Sequence, residues 1–265
     1  MSAAKSIGLW VLRRFGFKRR PPQTRAGKYA RTFQRSITAI AFLYLGLVFF
    51  PQPLFAYNVS AKGVTIYSPA PLPAETTARI EEAMALVGRS ELAVPGRRER
   101  IFVCNNPWLF RLFAPVSPRA FATSWPVSDN IFIAQSDLVK NVTSSMAENY
   151  NRRSFSSVAA HEITHGLIRH RLGLIRSVRL PAWVAEGYCD YVAKESSFPE
   201  EKGFQLLRDG AEDPSDSFRY FVFRQMVRHL MDDRHLTFDQ VVARAGDAVA
   251  VKLETIAALK EAESR

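Results

Sequence analysis

From Ile37 to Tyr57 the chain reads ITAIAFLYLGLVFFPQPLFAY, without one charged residue. A bilayer's hydrocarbon layer is about 30 Å thick and takes about 20 helical residues to cross. The run just reaches that length. Its most apolar part is Ile37 to Phe50, and its tail holds Pro51 and Pro53. Ahead of it lies a basic arm, residues 1–36, with ten Lys or Arg between Met1 and Arg35 and no acid. Such charge stays on the cytoplasmic side of a membrane. The expectation is a single-pass helix over 37–57 at a cell (inner) membrane, with the N-terminus cytoplasmic and the remainder extracytoplasmic. Two other readings share the pattern. A signal cut near Leu54-Phe55-Ala56 or Val59-Ser60-Ala61 would release a secreted protein, and the run could instead be a buried helix of a soluble one.

The net charge of +11 first suggests a nucleic-acid partner, but its distribution excludes one. The first acidic residue is Glu75, and from there onward 25 basic residues meet 25 acidic ones. The excess sits in the arm and at Lys62. Nucleic-acid binders carry their basic patch on the folded domain. Apolar residues make up 47% of the chain, enough for a large core. The two cysteines, Cys104 and Cys189, read either as a disulfide formed outside the cytoplasm or as two free buried thiols. Without C-x-x-C spacing they make no zinc knuckle.

Residues 58–77 read as a linker, rich in proline and small polar residues from Tyr67 to Thr77. Residues 78–265 then form the folded domain. Ile80, Ala83, Met84 and Val87 have helical spacing. Arg100 to Cys104 reads as a short buried strand, and Ile131 to Gln135 as a second. Trp108 to Pro126 reads as irregular. Helices are expected across Ser154 to Leu172 (ended by Gly173), from Pro181 to about Lys194, from Phe218 to Asp233, from a capping box at Thr237 to Gln240, and from Asp247 onward. Few strands ahead of many helices indicate an α+β fold, mainly helical with a small sheet.

His161-Glu162-Ile163-Thr164-His165 has the form H-E-x-x-H. On a helix, residues four apart lie one turn apart on one face. Two imidazoles so placed can reach one zinc ion (Zn2+), and Glu162 beside them can take a proton from a zinc-bound water. The bland alternative is a helix whose histidines are ordinary core or surface residues. Glu186 stands 21 residues after His165, in Pro181-Ala182-Trp183-Val184-Ala185-Glu186-Gly187. That interval allows a loop and a return on an antiparallel helix, with the carboxylate aimed at the metal. Asp190, one turn beyond, could accept the free ring N–H of a ligand histidine. Gly187 would let the two helices approach closely.

HEITH followed by PAWVAEGYCDY resembles the gluzincin, or thermolysin-like "peptidase MA-like", zinc metallopeptidases. The resemblance implies a zincin-like domain with His161, His165 and Glu186 as metal ligands, Glu162 as general base and Asp190 behind a ligand histidine. It also implies an antiparallel edge strand before the motif helix that pairs with a peptide or protein substrate, a place that Ile131 to Gln135 fits. Tyr220 is the expected oxyanion donor by position, with Tyr188, His229 and His235 as rivals. The metzincin pattern is set aside, because Arg171 occupies the place of its third histidine and His170 misses by one. The function implied is that of a membrane-anchored metallopeptidase. Three readings stand beside it: a catalytically inactive zinc-binding interaction domain at the membrane, hydrolysis of another amide, and a structural protein without metal.

Overall fold

The computed structural model describes residues 24–263. The chain divides into two units, Met1–Pro53 and Leu54–Arg265. In the first, Thr24 caps helix α1, Arg25–Phe49, its hydroxyl accepting from the Gly27 amide at 3.1 Å. This one apolar helix near the N-terminus is long and apolar enough to cross a membrane. Its 25 residues span about 37 Å at 1.5 Å each. The bounds differ from those expected. The helix begins twelve residues earlier, inside the basic arm, and stops at Phe49 rather than running to Tyr57. Pro51 and Pro53 lack the N–H that would continue it. The rest of the arm, residues 1–23, lies outside the described residues.

The second unit is a mostly helical domain with a small mixed sheet. Its strands are β1 (Tyr57–Ala61), β2 (Val64–Ser68), β3 (Glu99–Val103), β4 (Ala122–Ser124) and β5 (Asn130–Ile133), in the order β1-β2-β3-β5-β4. The pairs β2–β3 and β3–β5 are parallel, and the two outer pairs antiparallel. The stretch 58–77, expected as a linker, therefore supplies two strands. Gly63, at φ +82, turns the hairpin, and a Cβ there would meet the Arg97 carbonyl oxygen at 2.9 Å. The expectation for Ile131 to Gln135 is also corrected. There β5 lies between β3 and β4, and the antiparallel edge next to it is β4, only three residues long. A second sheet joins β6 (Gln135–Asp137), β7 (Val142–Ser144) and β8 (Arg152–Arg153).

Alternation along β3 and β5 gives the main sheet two apolar faces. Ile101, Val103, Ile131 and Ile133 join one core with helix α2 (Thr76–Val87) and helix α4 (Phe155–Leu172). Phe102 and Phe132 face the other way and stack at 5.2 Å, and Phe113 stacks on Phe132 at 4.0 Å. Phe113 ends helix α3, Pro107–Phe113, in the stretch expected to be irregular. Asn106 caps α3 by accepting from the amides of Trp108 and Leu109.

The remaining helices are α5 (Leu174–Val178), α6 (Ala182–Ala193), α7 (Glu200–Asp209), α8 (Asp216–Arg228), α9 (Phe238–Ala243) and α10 (Ala248–Glu263). All but α5 build a second core around Trp183, Tyr188, Phe221, Val227 and Phe238. Gly173 ends α4 at φ 76, and Thr237 and Gln240 form the expected capping box on α9. The α8 helix stops at Arg228, and His229–Asp233 winds on as one wider π turn. Gly187 serves a contact other than the one expected. A Cβ there would meet the Phe223 carbonyl oxygen at 2.6 Å, so it lets α6 lie against α8.

Candidate metal centre

The His pair is fixed by α4. Ser154 caps that helix, accepting from the Ser157 amide and donating from its own hydroxyl to Glu195 at 2.5 Å. From Phe155 to Ile168 nearly every residue is buried, because α4 lies against both cores. His161 and His165 thus meet one turn apart with Nε2 to Nε2 at 3.2 Å. Two nitrogens at tetrahedral positions about 2.05 Å from one zinc ion would be about 3.3 Å apart.

Among the described residues, the ring nitrogens of His161 and His165 and the Cys189 thiol all lie within 4.8 Å of one another. Glu186, three residues earlier on α6, also faces the rings. Its Oε2 is 3.2 Å from His161 Nε2 and 3.6 Å from His165 Nε2. Asp190 lies behind, with Oδ1 2.7 Å from His161 Nδ1 and 2.9 Å from an Arg153 guanidinium nitrogen. Glu186, Cys189 and Asp190 stand at i, i+3 and i+4, so one face of α6 presents all three. Arg153 was not anticipated. It also donates to the Glu195 carbonyl at 2.7 Å and to Ser157 at 3.2 Å.

Burial and charge oppose each other here. Burial alone would lower the His161 pKa, but Asp190 and Glu186 outweigh it and raise it to about 10. Burial would raise the Glu186 carboxyl, yet the two imidazoles hold it well below the usual range. Asp190 is likewise held low by Arg153 and His161 against its complete burial. The Cys189 thiol is pushed well up, by burial first and then by the carboxylates of Glu186, Glu162 and Asp190. Without a cation it stays protonated. The two cysteines are separate free thiols, so no disulfide joins Cys104 to Cys189.

A cleft of about 1080 Å³ opens over this cluster. His161, Glu162, His165, Glu186 and Tyr220 line it together with the edge strand β4. Burial and the Glu186 charge raise the Tyr220 hydroxyl's pKa. The rivals to Tyr220 do not line the cleft. Tyr188 is buried against Ser90 at 2.8 Å, and His229 pairs with Asp233 at 2.9 Å. His235 adopts φ 54 in the turn before α9.

No family model matches the chain, and no curated protein matches it. The gluzincin resemblance therefore rests on the short motif alone, and the metal-compatible cluster corrects it. A gluzincin centre closes two histidines with a glutamate and keeps an open corner. Here a buried thiol completes the triad. Membership in the peptidase MA-like metallopeptidases, and with it the labels metalloprotease and hydrolase, does not carry over to this chain. Sequence reading missed Cys189 because it was weighed only for cysteine–cysteine spacing. The available signal was its place three residues after Glu186, on the face that also carries Asp190.

Proposed function

We propose that the chain is a zinc-binding interaction domain held at a membrane. The observation that carries this reading is the His161–His165–Cys189 cluster, whose two histidines line the cleft while the thiol is buried beside them. Imidazole and thiolate together suit zinc. His161, His165 and Cys189 would hold the ion, and Glu186 stands close enough to the same rings to be the fourth donor. Zinc sites with four protein donors are closed and structural, and they add directly to folding stability. Asp190 would fix the His161 tautomer, leaving Nε2 free for the ion, and Arg153 would balance the Asp190 charge. Glu162 and Tyr220, which face the same cleft, would then contact a bound peptide or protein segment rather than a reacting water.

The apolar helix supports an anchor with the basic arm in the cytoplasm and the domain outside. The short edge strand β4 borders the cleft, and an extended partner segment could pair with it by strand addition. The test is zinc content and peptide turnover in the purified full chain. One zinc per chain is expected, lost in His161→Ala and held more weakly in Cys189→Ala, with no peptide cleavage. Cleavage that needs zinc and disappears in Glu162→Gln would overturn the inactive reading. Absence of stoichiometric zinc would overturn the metal site.

A further inference from the structure

The α3 helix has two unlike faces. Phe110 and Phe113 are buried on the sheet, whereas Trp108 is 75% and Leu112 37% exposed, and Val116 in the following loop is 94% exposed. Single exposed apolar residues are ordinary, but a bulky set on one short element marks a contact surface. Its position along the chain indicates what covers it. Phe55 packs on Phe102 at 5.0 Å and faces Phe113 at 6.1 Å, so α3 lies against the point where the chain enters the domain. Only seven residues separate Phe49, the end of α1, from Tyr57, the start of β1. That interval reaches at most about 30 Å. A bilayer that takes α1 therefore keeps this entry point within a short tether of its surface.

The charge pattern agrees. No acidic residue occurs between Arg100 and Asp129, while Arg111 and Arg119 are exposed. The Arg111 guanidinium lies over the Trp108 ring at 5.1 Å. Tryptophan favours the headgroup level of a membrane, where its ring and its N–H are both accommodated. Arginines near the surface add attraction to anionic lipid.

We propose that the outward face of α3, with Trp108, Leu112 and Val116, is a second membrane contact that seats in the headgroup layer. It rests on reading α1 as a membrane helix, and goes beyond the metal site. The loop after α3 from Val116 and the strand β4 that follows it also rim the cleft. Seating α3 thus turns that rim toward the bilayer and offers the cleft to segments of membrane-bound partners.

The full chain is placed in nanodiscs of brominated phosphatidylcholine and phosphatidylglycerol, and its tryptophan emission is compared with that in unbrominated discs. Bromine at the interface is expected to quench part of the emission. Trp108→Phe loses that part, whereas Trp183→Phe, at a buried site, retains it. Fractional quenching in Trp108→Phe equal to or above that of wild type would leave Trp108 no nearer the bromine than the other tryptophans and overturn the proposal. Failure of the chain to co-elute with the discs would overturn the membrane reading of α1 on which it depends.

Discussion

The donor set can be decided by counting protons. Metal ligands bind in their deprotonated forms, so zinc uptake releases whatever protons they carry. In the metal-free chain at pH 7, His161 holds a proton because its pKa stands at about 10. Cys189 holds one because burial and three carboxylates push its thiol well up. Glu186 holds none, since the imidazoles keep it well below the usual carboxylate range. Zinc bound through His161, His165 and Cys189 should therefore displace one proton from His161 and one from Cys189, about two in all. A site that uses Glu186 without Cys189 should release about one. The comparison isolates the thiol proton, because the two proteins share every other donor. Calorimetric zinc titration at pH 7, repeated in buffers of different ionisation enthalpy, reads the number directly. Wild type is expected to release about one proton more than Cys189→Ala, and its zinc affinity should climb about tenfold more per pH unit. Identical release by the two proteins would refute the thiol as a ligand and leave His161, His165 and Glu186 as the donor set.

Two further outcomes follow from the same geometry. Asp190→Asn removes the carboxylate held 2.7 Å from His161 Nδ1, and zinc affinity measured by competition with a chromogenic chelator should fall about 10–100-fold. Gly187→Ala puts a methyl 2.6 Å from the Phe223 carbonyl, and overpacking of this type costs about 1–3 kcal/mol. A thermal melt of the zinc-loaded chain should show that loss as a lower Tm.

Local chemistry explains which parts of the fold were legible. The α4 stop at Gly173 and the Thr237–Gln240 capping box are set by one or two residues, and both stand where the sequence places them. The apolar helix was visible from composition, but its start was not, because Arg25, Lys28, Arg31 and Arg35 continue a helix as readily as they precede one. Strand order was hidden for a different reason. Ala122 to Ser124 has too little periodicity to announce a strand, and its edge position is decided by pairing with β5 rather than by its own residues.

The metal centre shows the same divide. Spacing four apart on α4 is enough to bring His161 and His165 together, whatever the rest of the chain does. The chemistry of the site is decided elsewhere, by which face of α6 is turned toward them. That rotation depends on Gly187, where α6 touches the α8 backbone. It also depends on Tyr188 and Val184, which fix α6 in the second core. Glu186, Cys189 and Asp190 move as one rigid set. A pentapeptide that offers two imidazoles and a carboxylate is therefore compatible with an open site or a closed one. The buried Sγ on the opposing helix, which no local pattern around His161 encodes, favours the closed form here.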